Sequence, residues 1–514
     1  MKPMPSTRGG ALWRFALGAF IVIGFTAATT AVAGLLQFKQ LATYISATPA
    51  LKHANVVVPN PGDPQTILVI GSDHRARTSW RSANTDTMML IRLDPNSSTI
   101  NVLSIPRDLK VDIPGDGIAK INSAYSVGGP NLLIKTIQQN VFPDLRVNHI
   151  VDINFGGFES LVDAIGCVYT DVDHRYYNNT AVTDYSSIDL WPGYQKLCGS
   201  QALSFVRFRH TDSDIVRNAR QQDFVRWAKQ QYSQDQLISN RDRLVRIFGR
   251  HAQTDQDLHT TDGLINLFNL VAFMDGHTIK QIPFPAILQP CGGGAPATAT
   301  NNGAAPAACY VTADPGAEQR VFAQLMTPTV SQPATRSASP ASGGAHGRSG
   351  RSSGPSDLTA DIADGRAQAG ALRRAGMTVY YPRVIAPGSA YCLDAAGNCY
   401  LEYGAGHGFY PRAYEIHDQS GRAYPAYRMT IALNPLQGEY YGIQGMTWQD
   451  PAILGKPSFT RSLNGKQLLV YTNGGKVSVV AWRAPWGVYW VSNTLTDTLS
   501  PHQMIGIAGS LTQG

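Results

Sequence analysis

Residues 15–36, FALGAFIVIGFTAATTAVAGLL, carry no charge and are long enough to cross a bilayer as a helix. No other stretch constrains the chain as strongly, because this one divides the sequence between two compartments. Lys2, Arg8 and Arg14 precede it and only Lys39 follows closely. The positive-inside rule therefore puts residues 1–14 in the cytoplasm and everything after about residue 40 outside, as a single-pass membrane protein. Its length favours a retained anchor over a cleaved signal peptide, whose apolar region is normally shorter; Thr30-Ala31-Val32-Ala33 keeps cleavage open. The 6 cysteines agree with an oxidising exterior. They fall into local pairs that read as disulfides: Cys167 with Cys198, Cys291 with Cys309, and Cys392 with Cys399. No C-x-x-C or HExxH is present, which argues against a metal-thiolate site.

A length of 514 residues allows two or three domains. Residues 37–65 read as a stalk, and 66–290 as a compact domain in which strands and helices alternate. That alternation indicates an α/β layered sheet. Helices are expected over Ile118–Tyr125, broken at Gly128-Gly129-Pro130 and resumed from Asn131 to Val141, then over Phe155–Ile165, about 241–252 and 262–274. Residues 291–356 read as a disulfide-closed loop followed by a disordered Ser/Ala/Gly/Pro-rich linker. Asp357–Gly376 reads as one helix. From Thr378 onward, aromatic and branched residues alternate around Gly and Asn turns, so 357–514 forms a separate, mostly β domain. Its tryptophans (Trp448, Trp482, Trp486, Trp490) fit core packing better than glycan binding. The net charge of +7 comes from scattered arginines. With no zinc-finger spacing and no RNP-like motif, a nucleic-acid partner is not expected.

Two local patterns carry chemistry. Thr66–Ile70 is a buried strand that stops before Asp73. Asp86–Leu93 and Thr99–Ile105 form a hairpin around Asp94-Pro95-Asn96-Ser97-Ser98. The start of the first hairpin strand must lie beside the end of the second. If the three strands are neighbours, Asp73, Asp86, Arg107 and Asp108 share one rim. Farther along, Ser204–Arg209 alternates like a strand end, which would put Arg207 and Arg209 on one face. Thr211-Asp212-Ser213-Asp214 then starts a helix to about Gln231, with Arg217 and Arg220 on a common face in its first turns. Four guanidinium groups at a helix start suit a phosphate or pyrophosphate, though a charged surface would look similar. The helix faces bearing Leu132, Ile134, Phe158, Leu161, Phe268 and Val271 read first as core, and second as a groove for a lipid chain.

Nucleophile elbow, Walker A, Rossmann and zinc-protease motifs are missing. Aspartates at strand ends, arginines and a lysine suit phosphoryl transfer: magnesium takes one or two carboxylates plus phosphate oxygens, and arginines neutralise the phosphates.

The run GSDHR…RSANTDTMMLIRLD…INVLSIPRD…KINSAY…VDINFGGFESLVDAIGCV…WPGYQKLCGSQALSFVRFRHTDSDIVRNARQQ, over about residues 66–235, resembles the LytR-CpsA-Psr (LCP) family of bacterial cell-wall ligases. The resemblance implies an α/β/α sandwich with a central mixed sheet and an apolar groove for a polyprenyl chain. It implies a phosphotransferase that moves a glycopolymer from an undecaprenyl (or decaprenyl) pyrophosphate carrier onto peptidoglycan. By position, Asp73 and Asp86 match the family's acids for Mg2+, with Mn2+ as its substitute. Arg75, Arg81, Arg107, Arg207, Arg209, Arg217 and Arg220 match its pyrophosphate-binding arginines, and Gln221 falls beside them. Asp108, Lys120, Tyr125 and Asp214 fall on further motif positions, where an acid could orient an arginine or take the acceptor proton. Two departures stand out: extra residues separate Arg81 from Asp86, and Cys167 stands where a second glycine is usual, which pairing with Cys198 would explain. The disulfides, linker and Ala/Gly/Arg-rich composition resemble actinobacterial members, pointing to arabinogalactan over teichoic acid or capsule-like polymers. Hydrolysis of the carrier, or non-catalytic wall binding by the β domain, are the alternatives.

Overall fold

The computed structural model describes residues 43, 50–51, 55–72, 85–178, 187–208, 213–232, 243–244, 247, 250–274, 276–290, 308–329, 357–392 and 411–514. The apolar stretch 15–36 lies outside them. Among the described residues, no helix is long and apolar enough to cross a membrane.

The first domain is built from β1 (Gln65–Ser72), β2 (Thr85–Leu93), β3 (Thr99–Ser104), β4 (Lys110–Ile113), β5 (Gly117–Lys120), α1 (Ile121–Asn140), β6 (His149–Asn154), α2 (Phe155–Ala164), β7 (Val168–Val172), β8 (Gly193–Leu197), α3 (Gly199–Arg207), α4 (Asp214–Gln231), β9 (Ala252–Thr254), α5 (Thr261–Phe273), β10 (Thr278–Ile282), β11 (Ala286–Pro290), β12 (Ala308–Ala313) and α6 (Pro315–Met326). The central sheet is mixed, in the order β9-β6-β1-β2-β3-β10. β1 pairs antiparallel with β2 and parallel with β6, and β10 runs parallel to β3. The expected hairpin is present: Asp94 turns the chain, its carbonyl accepting from Ser97 N (2.9 Å) and its carboxylate from Asn96 N (2.9 Å).

Strand alternation divides the apolar residues between two layers. Leu68, Ile70, Met88, Leu90 and Leu103 point into a core closed by α1 and α6. Ile67, Leu93 and Val151 point the other way, under α5, and Val225 of α4 packs beside Met89 and Val102. The result is an α/β/α sandwich. Each fully buried Leu or Ile contributes roughly 1.5–3 kcal/mol to it.

Several expectations needed correction. Residues Ser204–Arg207 are helical, closing α3; Ala202, Leu203, Phe205 and Val206 are buried at helical spacing, and that outweighs the short alternating pattern. Ile118–Lys120 is a strand, so α1 starts at Ile121; its break falls at Gly129 (φ 66°), within Gly128-Gly129-Pro130 as expected. The first domain does not stop at residue 290: β12 pairs with β11, and Val311, Val321 and Leu325 belong to the first core. The expected helix over 357–376 is only α7 (Ile362–Ala371). Of the helix expected over 241–252, the described residues 243, 244, 247, 250 and 251 are helical as expected, and strand β9 begins at Ala252.

The C-terminal region carries β13 (Ala390–Tyr391), β14 (Arg412–His417), β15 (Ala423–Asn434), β16 (Glu439–Met446), β17 (Phe459–Leu463), β18 (Lys466–Asn473), β19 (Lys476–Ala484), β20 (Gly487–Ser492) and α8 (Pro501–Ser510). Its 8-stranded antiparallel sheet has the order β13-β15-β16-β20-β19-β18-β17, with β14 also on β15. It is mostly β, as expected, and has its own core around Tyr441, Ile443 and Val491. It is not an independent lobe. Met446, Val488 and Trp490 share a core with Val172, Tyr194 and Phe224 of the first domain.

Candidate active site

The hairpin register sets the site. Met89 pairs with Ser104, and Ile105 N donates to Met88 O (2.8 Å), so Asp86 faces the chain leaving β3. Arg107 Nη1 donates to Asp86 Oδ1. Arg207, at the end of α3, donates from Nε to Asp86 Oδ2 (3.2 Å) while its guanidinium lies 3.8 Å over the Phe155 ring. One carboxylate is thus bracketed by two arginines from distant parts of the chain.

Asp108 continues the rim. Lys120 Nζ, at the end of β5, lies 3.0 Å from Asp108 Oδ1, and Arg107 Nε lies 3.9 Å from it. Ser213 caps α4 by accepting from Val216 N (3.4 Å), and that places Asp214 in the first turn as the sequence suggested. Arg217 Nη2 is 3.2 Å from Asp214 Oδ1. Burial pushes the Asp108 carboxyl up, and neighbouring Asp214 adds to the rise against the opposing pull of Lys120 and Arg107. Burial lowers the Arg217 guanidinium, which feels Asp214, Arg107, Asp86 and Asp108 together. Asp86, Asp108, Asp214, Arg107, Lys120, Arg207 and Arg217 therefore form one electrostatic cluster.

Arg220 and Gln221 are placed differently. Arg220 is fully buried; its Nη1 donates to the Phe205 and Phe208 carbonyls (3.1 and 2.8 Å), and its guanidinium sits 4.6 Å from the Tyr176 ring centroid. Gln221 Nε2 donates to Val206 O (3.1 Å). Both cap the carbonyl end of α3 and so position Arg207. Tyr125 is buried, and its hydroxyl donates to Asp152 Oδ2, whose other oxygen accepts from Ser72 Oγ (2.7 Å). Burial and Asp152 push that phenol upward. The sequence reading passed over Asp152; its signal was a lone acid in the apolar strand His149–Asn154. It pins the end of β1, the residue before Asp73. Asp73, Arg75, Arg81 and Arg209 lie outside the described residues.

Cys167 is bonded to Cys198. That bond accounts for the departure at this position, while φ 69° at Cys167, the left-handed conformation that glycine prefers, accounts for the usual glycine. Asp163 approaches the pair, but its two sulfurs are joined to each other, so this is no metal centre. Cys392 is also disulfide-bonded. Cys399, Cys291 and the Cys309 side chain lie outside the described residues.

The LytR_cpsA_psr family profile matches residues 35–291. The chain belongs to the LytR_cpsA_psr family. The rim assembled by β2, β3, α3 and α4 lies wholly within that match. Among relatives, the chain is 34% identical over 211 residues to polyisoprenyl-teichoic acid–peptidoglycan teichoic acid transferase TagU of Oceanobacillus iheyensis, an overlap of 40% of this chain and 62% of that protein. It is 34% identical over 193 residues to the probable cell wall biosynthesis protein LcpB of Corynebacterium glutamicum, covering 35% and 43%. The chain thus spans about three fifths of TagU's length. Among solved structures, Bacillus subtilis TagV is 23% identical, covering 52% of this chain and 97% of TagV with a TM-score of 0.38. A TagT structure with bound octaprenyl pyrophosphate lipid is 21% identical, covering 53% and 93%, with a TM-score of 0.37.

Proposed function

We propose that this LytR_cpsA_psr member transfers a glycopolymer from an undecaprenyl (or decaprenyl) pyrophosphate carrier to peptidoglycan, outside the cell and tethered by residues 15–36. The observation that carries the reading is Asp86 bracketed by Arg107 and Arg207 within a cluster that also holds Arg217 and Lys120. Such a set neutralises a diphosphate and its leaving group. In the reaction, the acceptor hydroxyl oxygen bonds to the phosphorus that bears the glycan. The bond from that phosphorus to the oxygen of the polyprenyl phosphate breaks, and the polyprenyl phosphate leaves with the electron pair. The acceptor proton passes to a rim carboxylate. Asp108 suits that role because its proton affinity is raised. Names of relatives such as TagU, which join a polyisoprenyl donor to peptidoglycan, support the same substrates.

Magnesium fits the donor set. Asp86 offers hard oxygens at a strand end, and magnesium needs only one or two carboxylates beside phosphate oxygens. Asp86, with Asp73, would hold it, and when bound it would offset phosphate charge. The arginines on Asp86 would then turn to the diphosphate. For the polyprenyl chain, the sheet face between α4 and α5 offers Val69, Ile91, Ile100 and Ile153, which remain partly exposed.

The test is transfer by the detergent-purified full chain with magnesium, a polyprenyl-pyrophosphate-linked glycan and peptidoglycan fragments, read by mass spectrometry. Wild type should form the phosphodiester product and release polyprenyl phosphate. Asp86→Ala and Arg207→Ala should each lower turnover by about 10²-fold or more. Normal transfer by both variants would overturn the proposal, and release of polyprenyl phosphate without acceptor modification would identify a hydrolase.

A further inference from the structure

A cleft of about 310 Å3 opens beside α4, between the first domain and the C-terminal sheet. None of the rim charges lines it. Its near wall is the α4 face bearing Ile215, Asn218 and Gln222, one helical step round from Asp214 and Arg217. Its floor includes Pro106, directly before Arg107. Its far wall is the β18–β19 turn with Asn473 and Lys476, followed by Thr496 and Asp497, whose carboxyl interacts with Lys476. The cleft therefore starts where the rim ends. From Ile215 to Gln222 it follows α4 for about 10 Å.

The chemistry of the walls is selective. Asn218 is 7% exposed and lines the cleft, yet its amide makes no hydrogen bond to another described residue. The amide is thus open to the cleft, where it can both donate to and accept from a ligand. Lys280 Nζ has one partner, Thr329 Oγ1 at 3.3 Å, and Lys476 Nζ has one, the Thr496 carbonyl at 3.0 Å. An ammonium has three donors, so each keeps capacity for a ligand. Amide, hydroxyl and two spaced ammonium groups, the Lys476 one shared with the Asp497 carboxyl, suit a chain of neutral hydroxyls with separated carboxylates. Among the described residues, no arginine lines this cleft to offer the planar guanidinium fork expected for a phosphate-dense ligand. The turn is held in place, since Gln281 N donates to Asn473 Oδ1 (3.1 Å) across the two domains.

The geometry points to the interdomain cleft as the acceptor site, taking a segment of carboxylate-bearing glycan strand with its hydroxyls on Asn218 and its carboxylates on Lys280 and Lys476. This assignment rests on the transferase reading of the rim, and it gives the C-terminal domain a role in choosing the acceptor.

Two measurements on the full-length protein test it. The first is calorimetric binding of a soluble peptidoglycan fragment that retains its carboxylates, which requires no turnover. Lys280→Ala/Lys476→Ala should weaken binding by about 10-fold or more, and Asn218→Leu, which fills the cleft, should weaken it independently. Amidating the fragment's carboxylates should remove the effect of the lysine substitutions but not that of Asn218→Leu. The second is the apparent KM for acceptor, which should rise in the variants while affinity for the polyprenyl pyrophosphate donor stays at the wild-type value. Fragment binding unchanged in both variants, or no binding by wild type, would overturn the assignment. Failure of the transferase reading would show separately, as wild-type protein that binds the fragment but forms no phosphodiester product with it.

Discussion

Two regions of this molecule press arginines against aspartates, and their surroundings differ. At the domain seam, Arg428 Nη1 lies 2.9 Å from Asp171 Oδ1 and also donates to Ser492 Oγ (3.0 Å). Trp490 Nε1 donates to the other Asp171 oxygen (3.1 Å). Gly442 leaves room for the pair, since a Cβ there would lie 2.5 Å from the guanidinium. The seam is one cation on one anion, enclosed by neutral donors. At the rim, four cations face three carboxylates, and Asp108 is held above its ordinary range by burial and Asp214. Arg217 and Arg428 are alike in one respect, since Nε and Nη2 of each are buried without a hydrogen-bond partner among the described residues. The seam is a charge-balanced lock, whereas the rim carries one cation more than it has carboxylates and is poised for an anion. Both are ion pairs by distance, and the count of charges, the exposure and the access to ligand separate structure from chemistry.

The largest expected effect would break the seam. Asp171→Ala leaves Arg428 buried without its counter-charge, so unfolding free energy should fall by about 3–5 kcal/mol in denaturant titrations. Asp86→Asn at the rim should change stability far less, by about 1 kcal/mol or under, because Arg107 and Arg207 are partly exposed. If both substitutions destabilise equally, the distinction between lock and poised site is wrong.

A smaller effect concerns Asp497, whose carboxyl is pushed up to about 7 by burial, with Asp223 adding to it. The folded state keeps a proton that the unfolded chain releases above about 4. That contribution is full below about pH 4 and is lost as pH rises through 7. Asp497→Asn should therefore stabilise the protein by roughly 1–2 kcal/mol at pH 8 and not at pH 4, as read by thermal unfolding at the two pH values. An equal gain at both would show that the carboxyl does not strain the seam.

The smallest effect sharpens the role of Cys167. With Cys198→Ala as background, Cys167→Gly should retain about 1 kcal/mol more stability than Cys167→Ala, because glycine accepts φ 69° without strain. Equal stabilities would mean the backbone there relaxes once the disulfide is gone.

Much of the site was legible in advance. The Asp94–Ser98 turn and the two apolar runs around it dictate a hairpin, and a hairpin necessarily brings Asp86 beside Arg107 and Asp108. Ser213 announced the start of α4. The strand expected at Ser204–Arg207 was wrong because a four-residue alternation fits either period, and burial against Tyr176 and Phe224 decided for the helix. Arg217 and Arg220 were placed on one face by their spacing of three. Packing then divided them, one toward the rim carboxylates and the other into the carbonyl end of α3.

What the sequence determined by itself was local: turns, caps, and charges set at the ends of strands. These depend on neighbours a few residues away, where dihedral preference and hydrogen bonding act directly. What only the tertiary structure decided was everything that needed two distant segments to meet: Arg207 reaching Asp86, Asp152 receiving Tyr125 and Ser72, α6 completing the first core, and the β domain locked at Asp171. Burial and charge pairing at long range depend on which surfaces come together. No residue announces that alone, because the same arginine is a clamp, a cap or a lock according to what surrounds it.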